Sequence, residues 1–372
     1  MASTATGPLS ESAGEVFAQL ARLVRATRPQ LAAACALSKP TVSTAMAELE
    51  AAGLVARDGT AHGSTGRSAA VYRLSADAGY VLAVDHGHTQ VSFRAIALDG
   101  RLLDEGQTTR PDRAWSMLGS ALRRRTEDGP LRTAVVAVSD VVLPDPSADP
   151  VTARRVSEAV TSLRLPSRVP VAIENNVNCA AIAELHDGGD GDRTTFVYLQ
   201  VGVGIGAGIV IGRQLLRGRN GAAGEIARLA YPWTDGRPAG HEALEARLGS
   251  PGLMRQVSNA WRKGDGPLPQ DPEAVFALAA AGHARAAALV AEHAGEVGKL
   301  AASLTAVLDP GLVILGGGVG RNPLLTDGVR EALSALSWPT KLEVSRLREH
   351  ATVLGAAHLA REHGINAVVT GA

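Results

Sequence analysis

The stretch TTFVYLQVGVGIGAGIVIGRQLLRG, residues 194–218, carries the strongest fold signal in the chain. An apolar segment leads into the loop GVGIG (202–206), and a second apolar segment returns from it. Apolar segments rich in β-branched residues on both sides of a glycine turn predict a β-hairpin. Glycines also let backbone N–H groups approach phosphate oxygens, but a hairpin needs glycine in any case. The loop alone is therefore weak evidence for phosphate binding.

Two more glycine clusters lie upstream and downstream of this hairpin. The segment GYVLAVDHGHTQVSFRAIALDGRLLDEG (79–106) has the same design, and Asp85 ends its first strand. The cluster LGGGVG (315–320) follows a strand, LVI, and precedes a helix. The order hairpin, hairpin, strand-to-helix resembles the layout of the actin-like sugar kinases, in which two α/β lobes close on a nucleotide. We therefore predict an α/β fold with a two-lobed actin-like (ribonuclease H-like) part.

Length and composition limit the classes of protein that fit. A chain of 372 residues predicts two or three domains. Its residues are 45% hydrophobic, 20% charged and only 3% aromatic, which indicates a globular protein with a core of Ala, Val and Leu. The 37 basic and 37 acidic residues give a net charge of zero, so the overall balance favours neither nucleic acid nor membrane as a partner.

Targeting and cysteine signals are sparse. The first residues, MASTATGPLSES, lack a basic and apolar leader, and no apolar run reaches the roughly 18 residues that span a bilayer, so we expect a cytoplasmic protein. Cys35 and Cys179 form neither a disulfide framework nor a CxxC pair, and we predict that both are small core residues.

The first 76 residues have the pattern of a winged helix-turn-helix. A helical pattern begins near Glu11 and ends before Pro29, and a second short helix follows in PQLAAACA (29–36). In LSKPTVSTAMAELEAAGLV (37–55), a serine N-cap, a first-turn proline and a glycine after the last turn delimit a third helix. Residues 54–75 have strand patterns on both sides of a Gly-rich tip, which predicts a β-hairpin wing.

The start of the third helix presents small polar groups opposite its apolar stripe. Such groups let a helix enter a major groove closely, whereas an ordinary capped helix in a small bundle is the alternative interpretation. Arg67 in the wing tip is placed to extend into a narrow minor groove. Between residues 20 and 73, seven basic residues stand against three acidic ones, a local surplus of four. The predicted DNA contacts are Ser38, Lys39, Thr41, Ser43, Thr44 and Arg67.

These motifs together identify the chain as a member of the ROK family (repressors, open reading frames and sugar kinases). It resembles the branch with an N-terminal winged helix-turn-helix, over about residues 14 to 362. The supporting segments are LSKPTVSTAMAELEAAGLV, TGRSA (65–69), VGIGAGIVIGRQLLRGRNGAAGEIARL (203–229), DPGLVILGGGVG (309–320) and HATVLGAAHLA (350–360). The resemblance implies a DNA-binding domain over residues 1–76 and an effector and oligomerisation domain over residues 77–372.

Two loops depart from the pattern of the family's kinases. Those kinases carry DxGGT for the ATP phosphates, whereas DHGHT (85–89) adds His86 and His88, and the second glycine position holds an imidazole that obstructs a phosphate. The kinases also use the Asp of an END motif to take the proton of the attacking sugar hydroxyl. Here ENN ends in Asn175 and Asn176, and an amide cannot accept that proton. We therefore predict no catalytic residues, no cofactor and no enzyme activity.

The zinc motif of many relatives is also altered. GEIAR (224–228) has Arg228 where relatives have a histidine, and DGRPAGHEALEA (235–246) contains none of the cysteines of the family's CxCGxxGC cluster. Without thiolates a tetrahedral structural zinc site cannot form, so we predict no metal. The remaining histidines, His241 among them, lack ligand spacing and are predicted to be solvated surface groups.

The resemblance also implies an effector site. Asn175, Glu225 and Glu245 match sugar-pocket positions of the family, and carboxylates and amides hold sugar hydroxyls through hydrogen bonds. Arg228 adds a cation, which either favours an acidic or phosphorylated effector or pairs with Glu225. The segment from 137 to 175 is shorter than is usual in the family, which favours a regulator without a small ligand. The predicted effector residues are Asn175, Asn176, Glu225, Arg228 and Glu245.

The leading hypothesis is a sequence-specific transcriptional regulator, a repressor, that binds a double-stranded inverted-repeat operator as a homodimer or tetramer and senses a sugar or sugar phosphate. The alanine-rich run 275–308 is predicted to supply helices for core and dimer packing. Two alternatives stay open, a sugar kinase with an accessory DNA-binding part and a regulator controlled without a small molecule.

Overall fold

The computed structural model describes residues 7–62, 68–87, 89–123, 128–142, 153–154, 157–158, 161, 165, 169–189, 193–229 and 243–371. The chain divides into two compact units. The first comprises Met1–Val138, Ala153–Glu174 and Ala356–Ala372, and the second comprises Ser139–Thr152 and Asn175–Gly355.

The N-terminal part of the first unit holds three helices and a small antiparallel sheet. The helices are α1 (Glu11–Leu23), α2 (Arg28–Ala34) and α3 (Lys39–Ala51), and the strands are β1 (Ala26–Thr27), β2 (Val55–His62) and β3 (Ser68–Leu74). The sheet order is β1-β3-β2. Phe17 and Leu20 of α1 and Met46 and Leu49 of α3 are fully buried, so the apolar stripes of the two helices form the centre of this part.

The rest of the first unit is built on a five-stranded sheet. Its strands are β4 (Tyr80–His86), β5 (Val91–Ala97), β6 (Leu102–Thr108), β7 (Leu131–Val138) and β8 (Val171–Asn175), in the order β6-β5-β4-β7-β8. The first three strands form an antiparallel meander, and β7 runs parallel to β4. Helix α4 (Pro111–Arg123) packs Ala114 and Leu118 against Leu82 and Phe93 of the sheet.

The second unit repeats this plan. Its strands are β9 (Phe196–Val201), β10 (Ile205–Ile211), β11 (Gln214–Leu215), β12 (Leu312–Gly316) and β13 (Lys341–Val344), in the order β11-β10-β9-β12-β13. An antiparallel meander again comes first; β12 then runs parallel to its first strand, β9, and β13 runs parallel to β12. Both sheets therefore have the strand order 3-2-1-4-5, and the predicted two-lobed actin-like α/β fold is confirmed.

Helices cover the second sheet and continue to the end of the chain. They are α5 (Asn176–Asp187), α6 (Ala243–Leu248), α7 (Ser250–Ala260), α8 (Pro272–Ala280), α9 (Ala284–Leu308), α10 (Gly317–Gly320), α11 (Pro323–Leu336) and α12 (Ala351–Thr370). The alanine-rich run 275–308 forms α8 and α9, as predicted, and α9 packs on α11. A Cβ on Gly298 would lie 2.5 Å from the Cβ of Ala332, so these two helices approach closely through small residues.

The structure bears on the predictions made for the cysteines, the histidines and membrane-spanning segments. Cys35 and Cys179 are both buried, as predicted for small core residues. The prediction that the remaining histidines are solvated is wrong for His293, which is fully buried in α9. Among the described residues no single helix is long and apolar enough to cross a membrane, and one bent pair, Pro272–Ala280 with Ala284–Leu308, passes that test by length and composition at an angle of 115°.

Candidate DNA-contact helix and effector site

Helix α3 begins as the sequence predicts. Ser38 is the N-cap, and its Oγ accepts a hydrogen bond from the backbone N of Thr41 at 3.2 Å. Pro40 lies in the first turn, where its missing N–H has no intrahelical acceptor to lose. Gly53 follows the last turn with φ of 71°, the left-handed conformation that glycine adopts without steric cost. Local sequence signals therefore set both ends of this helix.

Three of the five predicted DNA-contact residues at the start of α3 form hydrogen bonds through their hydroxyls. The hydroxyls of Ser38 and Thr41 lie 2.7 Å apart, and the hydroxyl of Thr44 donates to Pro40 O at 3.3 Å. Lys39 and Ser43 are exposed, as are Ser38 and Thr44. The three bonded hydroxyls thus also stabilise the first two turns of the helix, a role that the capping pattern predicts for Ser38 alone.

Arg67, the sixth predicted DNA contact, lies outside the described residues. The two strands that flank it are described: β2 and β3 pair antiparallel, with Val55 opposite Leu74 and His62 opposite Ser68. A register shift interrupts the pairing between Arg57 and Thr60. The predicted hairpin is therefore present, and the contact made by its tip stays a prediction.

Four of the basic residues around α3 form ion pairs that have no signal in the sequence. They share two carboxylates, Glu50 and Asp58. The pairs are Arg25–Asp58 (2.7 Å), Arg73–Asp58 (3.5 Å), Arg28–Glu50 (3.5 Å) and Arg57–Glu50 (4.0 Å). All are at least partly exposed, so each stabilises the fold little. The local charge surplus is unchanged, but these guanidinium groups already have an anion beside them.

The amide of Asn175 caps helix α5. Its Oδ1 accepts hydrogen bonds from the backbone N of Val177 (2.8 Å) and of Asn178 (3.2 Å). Its Nδ2 donates to the backbone oxygen of Asp140 at 3.0 Å. Asparagine is among the preferred N-cap residues because its side-chain oxygen satisfies N–H groups that lack an intrahelical partner. The side chain is buried, so one amide both starts α5 and holds the segment at Asp140.

The neighbouring amide is tied to the same segment. Asn176 Nδ2 donates to Ser139 Oγ at 3.1 Å, and Thr352 Oγ1 donates to the backbone oxygen of Asn176 at 3.5 Å. By the family resemblance, position 176 is where a kinase base is expected. In this chain its amide is therefore a hydrogen-bond donor to a loop hydroxyl.

The start of strand β10 brings the other predicted effector residues to α5. Ile205 N donates to Glu245 Oε2 at 3.3 Å, and Ala207 N donates to Gly224 O at 2.9 Å, next to Glu225. Between them, a Cβ on Gly206 would lie 2.9 Å from Val177 Cγ2 of α5. Three consecutive residues of β10 thus contact Glu245, the first turn of α5 and the loop of Glu225.

The charges at this place act on one another. Burial raises the pKa of Glu225, and the negative charge of Glu245 raises it further, while Arg228 opposes both effects. Arg228 is exposed and lies in the single helical turn Ile226–Arg228. Two carboxylates, a guanidinium and the first turn of α5 therefore lie in one neighbourhood of the second unit. Such a set offers acceptors and donors to a polyhydroxylated ligand.

The loop DHGHT (85–89), which the family resemblance predicts to be an altered phosphate loop, belongs to the first unit. Asp85 is 7% exposed at the end of β4, and burial raises the pKa of its carboxyl to about 7. A Cβ on Gly87 would lie 3.0 Å from Gln90 O, so the backbone turns tightly here. His88 lies outside the described residues. The raised pKa of Asp85 has no signal in the sequence, because it depends on burial.

The region of the family's zinc site is described in part. Residues 230–242, with His241, lie outside the described part of the chain. Within the described residues there is no group of three or more His, Cys, Asp and Glu side chains that could hold a metal ion. The expectation that this chain holds no zinc stays a prediction.

The duplicated sheet order and the glycine loops define a protein of the actin-like kinase fold. The model of the ROK family matches residues 81–363, and the chain belongs to this family. The three helices and the small sheet at the N-terminus lie before the matched range.

Sequence relatives include an enzyme and a regulator. The chain is 32% identical over 193 residues to the bifunctional enzyme NanE/NanK of Brucella melitensis, a match that covers 51% of this chain and 35% of the enzyme. It is 28% identical over 218 residues to the putative xylose repressor of Caldicellulosiruptor sp., covering 54% of this chain and 53% of the repressor. The chain thus spans about a third to a half of the length of these relatives.

Solved structures give the same two kinds of neighbour. A ROK family transcriptional regulator, a homologue of the E. coli MLC protein, superposes with a TM-score of 0.73 at 19% identity over 96% of both chains. At that identity the likeness shows the fold alone. The ROK hexokinase of Thermus thermophilus superposes with a TM-score of 0.59 at 30% identity, over 76% of this chain and 98% of the hexokinase.

Proposed function

We propose that this chain is a sequence-specific DNA-binding transcriptional regulator, acting as a repressor, whose ROK domain does not catalyse phosphoryl transfer. The observation that carries the proposal is helix α3: its capped, exposed N-terminus presents Lys39 and Ser43 and is followed directly by the hairpin β2–β3. This is the order of elements in a winged helix-turn-helix, in which the second helix of the motif enters the major groove. The similarity to a putative xylose repressor supports it.

The DNA partner follows from this geometry. A single recognition helix reads only a few base pairs, and two-fold related helices read two half-sites one helical turn apart. The protein would therefore bind a double-stranded inverted-repeat operator as a homodimer or tetramer. Such a regulator acts where the chromosome is, in the cytoplasm.

Selection of bound fragments from sheared genomic DNA of the source organism tests the proposal. Purified protein is incubated with the fragments, and the retained DNA is sequenced at physiological salt. We expect enrichment of a site with inverted repeats. Folded protein that enriches no sequence would contradict the proposal.

Substitutions on α3 test the assignment of the helix. Lys39→Ala removes a cation from the exposed first turn, so we expect weaker binding to the recovered site and a salt dependence of log Kd that is shallower by about 1. Lys263→Ala, at an exposed lysine of the second unit, is the matched control and should leave both quantities unchanged. If the two variants bind the site alike, the assignment of α3 as a DNA-contact helix is wrong.

We further propose that the group formed by Asn175, Asn176, Glu225, Arg228 and Glu245 binds a sugar or sugar-phosphate effector. The support is the contact of β10 with Glu245 and with the first turn of α5, and the half-buried carboxyl of Glu225 beside Arg228. Calorimetry against a panel of sugars and sugar phosphates should give at least one ligand that also changes operator affinity, because coupling between two sites is reciprocal. Glu245→Gln should weaken the binding of that ligand. Absence of any binding ligand would favour the regulator controlled without a small molecule.

A sugar kinase with an accessory DNA-binding part is the second candidate. Its support is the 30% identity to the Thermus thermophilus hexokinase over most of the hexokinase chain. It requires the loop with His88 and the amide of Asn176 to support phosphoryl transfer. Transfer of phosphate from ATP to a hexose by the purified protein would separate the two candidates.

A further inference from the structure

Arg361 of helix α12 bridges two backbone segments of the first unit. Its Nη2 donates to the backbone oxygen of Leu98 at 3.2 Å and to that of Ala21 at 3.2 Å, and its Nε lies 3.4 Å from the same Leu98 oxygen. Leu98 follows strand β5 of the five-stranded sheet, whereas Ala21 lies in the last turn of α1. One guanidinium thus joins the ROK sheet to the N-terminal three-helix part.

The acceptor on α1 is a group that needs a partner. Carbonyls in the last turn of a helix have no intrahelical donor, and they carry the negative end of the helix dipole. A cation that donates to Ala21 O therefore caps α1 from another part of the chain. The ROK family match includes Arg361 but begins after α1, so the cap links the family domain to the additional N-terminal segment.

The other end of α1 also contacts α12. Leu9 N donates to Val369 O at 3.0 Å. A Cβ on Gly14 would lie 2.7 Å from Val369 Cγ1, so only glycine lets α1 approach this closely. Helix α1 is therefore held against α12 near both of its ends.

The contacts that hold α1 against α12 form a clamp, and helix α3 is attached to it. Ser10, the N-cap of α1, donates from its backbone N to Glu48 Oε1 at 2.8 Å and from its Oγ to Glu48 Oε2 at 2.6 Å. Glu48 lies in α3, and Ser10 directly follows Leu9. The position of α3 is therefore coupled through α1 to α12 and to the sheet.

We propose that Arg361 is a positioning residue for operator binding, which fixes the orientation of α3 relative to the sheet of the first unit. This inference rests on the proposed function. In an oligomer, fixed orientation presents two α3 helices at one spacing and lowers the entropy cost of binding both half-sites at once. If the attachment were loose, each α3 helix could still bind a half-site. The affinity gained by binding both half-sites at once would be lost.

The test compares Arg361→Gln with Arg330→Gln. Arg330 is an exposed arginine of α11 that pairs only with a neighbour one turn away among the contacts described, so it serves as the matched control. The probes are the inverted-repeat duplex recovered from the genomic selection and a duplex that carries one half-site. We expect Arg361→Gln to bind the inverted repeat at least tenfold more weakly and the half-site as wild type does, while Arg330→Gln changes neither. Equal loss on both duplexes would indicate a general structural defect, and no loss on either would exclude a positioning role; both overturn the proposal.

Amide hydrogen exchange of residues 10–24 tests the clamp without DNA. Arg361→Gln should raise exchange in this segment while leaving β4 and β7 protected. If the segment stays protected, the clamp is overturned even when DNA binding itself is real. If wild type enriches no operator, the proposed function fails, the positioning role fails with it, and faster exchange would assign to Arg361 only the attachment of α1.

Two more variants keep the proposal falsifiable if Arg361→Gln does not fold. Arg361→Lys keeps the charge but has one ammonium in place of a planar fork, so it should restore inverted-repeat affinity only in part. Gly14→Val forces α1 away from Val369 without touching Arg361 and should weaken the inverted repeat more than the half-site. Full restoration by lysine together with normal behaviour of Gly14→Val would overturn the bridging role.

Discussion

Asp85 shows how one buried carboxyl sets the response of the fold to pH. Its pKa rises from 3.8 to about 7 because burial disfavours the charged form. The folded state therefore holds this proton more tightly than the unfolded state does. The stabilisation is complete below about pH 4 and is lost as the pH rises to about 7, where ionisation inside the fold costs on the order of 4 kcal/mol.

We therefore expect Asp85→Asn, which resembles the neutral acid, to be more stable than wild type at pH 8 by a few kcal/mol and to lose most of that advantage at pH 5. Urea unfolding at the two pH values measures the difference. Asp327→Asn, at an almost fully exposed carboxylate, is the control and should show no such change. A pH-independent difference for Asp85→Asn would contradict the shifted pKa.

The buried side chain of His293 makes the free energy of unfolding depend on pH in the opposite direction. Neither ring nitrogen has a hydrogen-bond partner among the described residues, and burial lowers the pKa of the ring to about 4. Its contribution to stability is present above about pH 6.5 and is lost as the pH falls towards 4, because the unfolded chain then binds a proton that the folded chain excludes.

We expect His293→Leu to raise the free energy of unfolding at pH 7 by about 1 to 3 kcal/mol, since it removes a buried polar group without partners. It should also flatten the stability profile between pH 6.5 and 4. Thermal and urea unfolding across that range check both effects. A destabilised variant with an unchanged acid slope would show that the imidazole has a partner in the folded protein.

Only part of the candidate site could be predicted from single residues. The amide at Asn176, where the family resemblance predicts a base, can be read from the sequence because the chemistry of one side chain is local information. The bonds of the two amides to Ser139 and Asp140 are not, because they join residues 35 to 37 positions apart. For His293 a signal was available: Leu289 and Val297 flank it at helical spacing and are buried on the same stripe.

At the scale of elements, glycine decides where helices meet. Helix α12 crosses α5 at Gly355, where an added Cβ would clash with the backbone oxygen of Cys179. Backbone cannot move aside as a side chain can, so Gly355→Ala should lower the free energy of unfolding by more than about 2 kcal/mol. Gly295 of α9 has open space around it, so Gly295→Ala should instead stabilise by about 0.5 to 1 kcal/mol through helix propensity.

Chemical denaturation of the two glycine variants beside wild type checks this pair. The contrast matters more than either value, because both changes add one methyl group to a helix. Similar effects of the same sign would mean that α12 and α5 do not approach as closely as the structure has them.

Local signals were sufficient for α3 but not for α1. Ser38, Pro40 and Gly53 are capping residues, and the helix they predict agrees with the observed one. The helical pattern of α1 was expected to end before Pro29, as it does, but the pattern does not fix the last residue, which is Leu23. Residues 26–27 pair instead with β3, about 45 positions later, and Thr27 caps α2. A non-local strand pairing of this kind leaves no trace in the periodicity of α1.

At the scale of the molecule, the same limit applies to domain organisation. The glycine clusters predicted two α/β lobes, and both sheets are present with the same strand order. The return of residues 356–372 to the first unit could not be predicted, because Arg361 and Ala21 are 340 positions apart. The division at residue 76 follows the limits of the sequence motifs and stays a prediction.

Phosphoryl transfer is a property of the whole molecule, since it needs phosphates held by one loop and a base supplied by another. In this chain the loop DHGHT (85–89) and the segment ENN (174–176) each depart from the pattern that the family resemblance implies for a kinase. We expect neither wild type nor Asn176→Asp to transfer phosphate from ATP to any hexose in a labelled-ATP assay, with an active hexokinase as the positive control. The single substitution restores a base but leaves the imidazole at the phosphate loop. Turnover by wild type would establish the kinase. Turnover by Asn176→Asp but not by wild type would show that His88 does not obstruct the phosphates. Activity found only in the double variant Asn176→Asp, His88→Gly would identify these two residues as the sites where catalysis was lost.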